Sequence, residues 1–270
     1  MKKITFAKMV ASGNDFVLIE NHGYKGLPHL VKSLCDRKLG IGADGLLLLE
    51  KTKRADIRMR ILNADGSEAE MCGNGARCVA FWLDAKRRAA SGKSRKIRIE
   101  TMAGIIEAGV AAGNVKIRLT RPKGLRLDMP VEINKRKLRV NFIDTGVPHA
   151  VVFTQGLDEI DVFSLGRAMR YHAKFAPAGT NANFIEVLNK DSISIRTYER
   201  GVEDETLACG TGSVASALVF AQKSGACGEV NVHTRSKEVL KVYFERKDKE
   251  FSNIWLEGSA RIVFKGEIIY

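Results

Sequence analysis

Apolar and polar positions alternate along much of this chain with the two-residue period of half-buried strands. Ile57, Met59 and Ile61 are separated by Arg58 and Arg60, and Ile193 and Ile195 by Ser194. Ile97 with Ile99, Val115 with Ile117 and Leu119, Val230 with Val232, and Ile254 with Leu256 follow the same rule. Residues 16–19, 46–49, 150–153, 184–187 and 239–242 are mostly apolar runs of strand length. Leu27, Leu30, Val31, Leu34 and Cys35 instead share one helical face, with Pro28 near the start and Gly40 past the end. Val162, Leu165 and Met169 predict another such helix. Residues 76–83 and 214–221 are apolar on nearly every side, and a helix of that kind is buried. Lys86, Arg87 and Arg88 follow the first, where a helix C-terminus favours cations. Gly225 stops the second.

The two buried helices open alike. Cys72-Gly73-Asn74-Gly75 precedes one and Cys209-Gly210-Thr211-Gly212 the other, 137 positions later. The same offset pairs Gly42 with Gly179, Asp44 with Asn181, Glu68 with Glu205 and Ile117 with Ile254. A shared register across a glycine turn, a cysteine, a second glycine and a buried helix predicts an internal duplication. The pattern breaks at Arg121-Pro122-Lys123-Gly124. The expected fold is α/β (α+β): two pseudo-symmetric halves, residues 1–120 with 257–270 returning to them, and residues 121–256. Each would be a curved, mostly antiparallel sheet wrapped around a central helix, with the active site in the cleft between them.

Composition narrows the function. A chain of 270 residues with 45% hydrophobic and 28% charged residues is expected to bury an ordinary core. The formal charge is +13, but the basic residues are scattered and aromatics make up only 7%. That argues against nucleic acid as a partner. A basic surface also steers anionic substrates. Lys8, Asn14 and Asp15 interrupt any long apolar run near the start, so neither a signal peptide nor a membrane span is expected. Cysteine usage fits no disulfide framework, which suits a cytoplasmic location.

A Gly-x-Gly turn opening a helix presents backbone N–H groups and the positive end of the helix dipole. Gly73-Asn74-Gly75 and Gly210-Thr211-Gly212 are therefore two candidate anion sites, able to share one carboxylate. A cysteine beside a helix N-terminus has more thiolate at neutral pH. A thiolate and a thiol on opposite sides of one carbon form a base and an acid, which inverts a stereocentre without a cofactor. The dipoles holding the carboxylate would stabilise the carbanion. Cys35 and Cys227 are expected to be small buried hydrophobes, and Cys78 structural. No paired short-spacing ligands suggest zinc, and no C-x-x-C suggests a dithiol redox centre.

Met71-Cys72-Gly73-Asn74-Gly75-Ala76-Arg77-Cys78 and Ala208-Cys209-Gly210-Thr211-Gly212 resemble the paired signatures of the diaminopimelate epimerase family. Asn63-Ala64-Asp65-Gly66-Ser67-Glu68, Gly13-Asn14-Asp15-Phe16, Tyr198-Glu199-Arg200-Gly201 and Gly146-x-Pro148-His149 resemble it too, from Phe6 to about Gly266. The resemblance implies interconversion of LL- and meso-diaminopimelate, in lysine and peptidoglycan precursor synthesis, with no cofactor or metal. Cys72 and Cys209 would be the acid/base thiols. Gly73, Asn74, Gly210 and Thr211 would hold the reacting carboxylate. Glu199 would take the reacting ammonium and tune Cys209, and His149 would tune Cys72. Asn63, Asn181 and Arg200 would recognise the distal end of the substrate, with Asn14 assisting. Val147 stands where many members have Asn, which removes one contact to the distal end. Phe264 replaces a Tyr that several members place at a dimer contact, and a homodimer is expected. The competing readings are a related two-cysteine racemase acting on proline or histidine, and a thiol redox or binding protein without turnover. Proline racemases usually show His where Asn74 stands.

Overall fold

The computed structural model describes residues 3–91 and 96–270. The chain divides into two compact units. One holds the described residues up to Ile117 together with Gly258–Tyr270, and the other is Arg118–Glu257.

In the first unit the strands lie in the order Arg261–Ile269, Lys3–Ala11, Asn14–Glu20, Gly45–Glu50, Ile57–Asn63, Ile97–Thr101, Gly104–Ala111 and Asn114–Arg118. Neighbours are antiparallel except at two places, Asn14–Glu20 beside Gly45–Glu50 and Ile57–Asn63 beside Ile97–Thr101. A parallel pair cannot be closed by a tight hairpin, so each needs a crossover. Helix α1 (Leu27–Cys35) supplies the first and helix α2 (Gly73–Ser91) the second.

The second unit repeats this plan. Its order is Lys123–Ile133, Arg136–Asp144, Pro148–Phe153, Asn181–Asn189, Ser192–Glu199, Glu229–His233, Val239–Lys247 and Glu250–Ser259. The parallel pairs recur at the same places and are crossed by helices α3 (Val162–Arg170) and α4 (Gly210–Ser224). The duplication read from the cysteine register is thus a duplication of strand order, and the fold is α+β with two pseudo-symmetric halves. One piece is exchanged in sequence. The edge strand that opens the second unit, Lys123–Ile133, has its counterpart in the first at the far end of the chain, Arg261–Ile269.

The apolar runs lack alternation because their strands are covered on both faces. Leu46 and Leu48 pack with Leu30, Val31 and Leu34 of α1, whereas Leu47 reaches Gly75 of α2. In the second unit Val152, Phe184 and Tyr198 pack with Val162 and Met169 of α3. Helix α4 is buried without interruption from Gly212 to Ala221. Each of its larger side chains, such as Leu218 and Phe220, contributes roughly 1.5–3 kcal/mol by leaving water.

The apolar pattern breaks at Arg121–Gly124, close to where the two units meet in sequence, between Ile117 and Arg118. A mostly exposed edge strand starts at Lys123, and too few of its residues are buried to write an apolar pattern. One expectation needs correction: Cys227 is exposed rather than buried. Gly225 ends α4 in the left-handed conformation at φ 83°, which turns Ala226 and Cys227 out of the core. Cys35 and Cys78 are buried as expected.

Candidate active site

In the first unit Cys72 stands immediately before α2. The Gly75 N–H donates to the Cys72 sulfur at 3.4 Å, and the Ala76 N–H to the Cys72 carbonyl at 2.9 Å. These bonds use two of the first-turn donors, and the N–H groups of Gly73 and Asn74 have no intrahelical acceptor.

The Asn74 side chain is engaged inward. Buried Arg77 donates through Nη2 to Asn74 Oδ1 at 2.6 Å and to Ser12 Oγ at 2.7 Å. Asn74 Nδ2 donates to Asn14 Oδ1, and Asn14 Nδ2 to Asp44 Oδ2 at 3.1 Å. A cationic donor stands at one end of this chain and an anionic acceptor at the other, so both amides are fixed head to tail. Arg37 holds Asp44 at 2.7 Å and Asp15 at 2.8 Å, and Lys8 reaches Asp15 at 2.6 Å. Burial pushes the Asp15 carboxyl up, but hydrogen bonds from Arg37 and Lys8 outweigh it and hold the group at about 2. Asn63 is exposed and donates through Nδ2 to Ser67 Oγ at 2.9 Å, closing a turn in which Asp65 accepts from the Ser67 N–H at 2.8 Å.

The second unit repeats the cysteine geometry. Cys209 caps α4: its sulfur accepts from the Gly212 N–H at 3.4 Å, and its carbonyl from the Ser213 N–H at 2.9 Å. The Thr211 hydroxyl lies 3.5 Å from the same sulfur. Glu199 hydrogen-bonds Cys209 and accepts from Thr206 Oγ1 at 3.0 Å. Burial pushes the Glu199 carboxyl up, against the pull of those two bonds. Asn181 donates to the Pro148 carbonyl at 3.0 Å and accepts from the Arg200 N–H at 2.8 Å. The Arg200 guanidinium reaches the Ala178 carbonyl at 3.0 Å. His149 is fully buried. Its burial first, and then the charge of Arg200, push the imidazole down to about 3, so it is neutral.

Within the first unit the structure therefore groups Asn14, Asn74 and the Cys72 turn through hydrogen bonds, while Asn63 closes its own turn. Within the second it groups His149, Asn181, Glu199, Arg200, Thr211 and Cys209 on neighbouring strands and the α4 entry. Sequence reasoning missed Asp44 and Arg77, which fix the amides. It also missed Asn183 and Thr197, which lie beneath the second turn. The available signal was polarity in the wrong place: an Asn between Ala182 and Phe184 in a buried strand, and an Arg inside an apolar helix. No group of His, Cys, Asp and Glu among the described residues is placed to hold a metal ion. Likewise, no helix among them is long and apolar enough to cross a membrane.

Comparison with known proteins bears on both units. The family model described as diaminopimelate epimerase matches residues 6–123 and 141–263. The chain is 41% identical to a protein named diaminopimelate epimerase from Aquifex aeolicus, covering 97% of both chains. It is equally identical to one of the same name from Archaeoglobus fulgidus, covering 98% of this chain and 96% of that one. Among solved structures, a Bacillus anthracis phenazine biosynthesis protein of the PhzF family superposes with TM-score 0.78 over 100% of both chains at 19% identity. A hydroxyproline epimerase from Agrobacterium vitis superposes with TM-score 0.74 at 15% identity, covering 99% of this chain and 91% of that one. The structural likenesses carry the fold alone, but the family model spans both cysteine turns and the strands around them, and on that ground the chain belongs to the diaminopimelate epimerase family.

Proposed function

We propose that the protein is an isomerase that interconverts LL- and meso-diaminopimelate by a two-base cysteine mechanism, without a cofactor, in lysine and peptidoglycan precursor synthesis. The observation that carries this reading is the duplicated turn. Cys72 and Cys209 sit at the entries of two helices, α2 buried from Asn74 to Ala80 and α4 from Gly212 to Ala221, each sulfur accepting an N–H from the glycine three residues on at 3.4 Å. One sulfur, as thiolate, takes the α-proton; the other, as thiol, returns a proton to the opposite face. The α-carboxylate lies against the N–H groups of Gly73, Asn74, Gly210 and Thr211, whose dipoles stabilise the carbanion. Glu199 receives the reacting ammonium and influences Cys209, and His149 influences Cys72. Arg200, with Asn63, Asn181 and Asn14, binds the distal amino-acid end, where a guanidinium matches a carboxylate.

This reading makes the enzyme cytoplasmic and homodimeric. Val263 and Phe264 support the dimer as exposed apolar residues on the edge strand Arg261–Ile269. A racemase acting on proline or histidine uses the same chemistry, but its single-carboxylate substrate has no use for Arg200, Asn63 and Asn181 together. Incubation with LL-diaminopimelate in heavy water decides between them. Deuterium should enter at the α-carbon of diaminopimelate; label in proline or histidine instead would sink the assignment. Cys72→Ala and Cys209→Ala should each lower turnover at least ~100-fold, as loss of an acid/base group does.

A further inference from the structure

The two units differ beneath their cysteine turns. A Cβ added to Gly75 would meet Leu47 Cδ2 at 2.9 Å, and one added to Gly212 would meet Asn183 Oδ1 at 2.4 Å. Leu47 and Asn183 are therefore structural counterparts. Leu47 pairs across its ladder with Ile61, and Asn183 with Thr197. On the other side Leu47 pairs with Leu18, and Asn183 with Val151. Two residues back from these partners stand Phe16 in the first unit and His149 in the second. Phe16, Leu47 and Ile61 are thus replaced by His149, Asn183 and Thr197. All six are buried. The fold accepts apolar side chains at these places, so the polar set answers to something other than folding.

The orientation of that set follows from its partners. The Ala150 carbonyl can only accept, and Asn183 Nδ2 lies 2.9 Å from it. That puts the NH₂ on this side, and Oδ1 accepts from Thr197 Oγ1 at 3.1 Å. The same Nδ2 is 3.2 Å from His149 Nδ1. An amide NH₂ has no lone pair to offer, so Nδ1 must accept and the ring proton must sit on Nε2. An imidazolium would set one N–H against another. Nε2 is buried with no hydrogen-bond partner among the described residues. A buried donor left in that state is costly unless something it binds completes it.

We propose that Asn183, braced by Thr197, is the positioning residue for His149. It locks the imidazole as the neutral Nε2–H tautomer, so that His149 offers the reaction a fixed hydrogen-bond donor and not a base. This rests on the reading that His149 borders the reacting centre. Such a donor stabilises the thiolate or carboxylate it faces, without a proton changing hands.

The test is histidine side-chain ¹⁵N–¹H correlation NMR on the uniformly labelled 270-residue chain, with His149 identified by loss of its signal in His149→Phe. The expected result is an Nε2–H neutral ring at pH 7. Asn183→Asp gives Nδ1 an acceptor, and should turn the ring to Nδ1–H or imidazolium while lowering kcat about 100-fold with KM little changed. Should that variant fail to fold, Asn183→Leu with Thr197→Ile copies the first unit. It should fold by circular dichroism, lose the single tautomer and lose a comparable part of kcat. An Nδ1–H ring or an imidazolium in the unaltered protein would overturn the proposal. So would a variant that loses activity with the tautomer unchanged, or keeps full activity with it switched. An Nε2–H ring in a protein that does not label diaminopimelate would count against the substrate assignment alone.

Discussion

The Thr206 hydroxyl donates to Glu199 Oε2 at 3.0 Å, so the carboxyl that hydrogen-bonds Cys209 is held from a second side. Burial pushes this carboxyl up, and the two hydrogen bonds pull it back. Thr206→Val removes one of those pulls. The acidic limb of the kcat/KM profile for deuterium wash-in should then move to higher pH, and a limb that moves down contradicts the assignment. Glu199→Gln should lower kcat about 100-fold with the fold intact.

Gly75 and Gly212 should not tolerate alanine equally. At Gly75 the added methyl meets Cδ2 at the far end of Leu47 at 2.9 Å, an apolar side chain that no hydrogen bond ties in place. At Gly212 it meets Asn183 Oδ1 at 2.4 Å, and that side chain is tied to Ala150, His149 and Thr197. Gly212→Ala should destabilise by about 1–3 kcal/mol and Gly75→Ala by less. Urea denaturation of both variants checks the order.

Asp15 predicts one source of acid lability. Its carboxyl lies at about 2, below its ordinary 3.8. The stability it contributes is complete above the ordinary value and disappears as pH falls toward 2. Linkage puts the contribution at about 2 kcal/mol. Asp15→Asn should therefore be less stable than the unaltered protein at pH 7, with the gap closing near pH 2 in chemical denaturation.

His149 predicts a second, in a higher window. Its ring is pushed down to about 3 from 6.5 by burial and by Arg200. Between those values the unfolded chain binds a proton that the folded one refuses, so stability falls as pH falls from 6.5 toward 3. His149→Phe, copying Phe16, should flatten that part of the stability profile while abolishing turnover. An unchanged slope would mean that His149 is protonated in the folded protein.

Much of this was legible in the sequence, for physical reasons. The helix entries at Cys72 and Cys209 announce themselves because the buried turns that follow them must be apolar all round and a close turn must be glycine. The strands at residues 46–49 and 184–187 were visible as apolar runs, although only the structure says that α1 or α3 covers one face. The edge strands at Lys123 and Arg261 left a weak trace, since an exposed strand needs no alternation. Cys227 was misread because composition ranks cysteine with buried residues and takes no account of the turn made by Gly225. Polarity out of place marked Asn183 and Arg77, but not the amide chains that run through Asp44, Asn14, Asn74 and Arg77, and through Thr197 and Asn183. Hydrogen-bond direction depends on which groups meet across strands, and that is a property of register.

The exchange of edge strands has a consequence for how the chain is made. The second unit is continuous and leaves the ribosome whole once Glu257 has emerged. The first unit is synthesised earlier, yet the strand Arg261–Ile269, which pairs with Lys3–Ala11, emerges only after the whole of the second unit. Until then the strand that leads into the Asn14 turn has an open edge. The half that is born first is thus completed last, and the long sequence separation of that pairing makes it a slow contact to form.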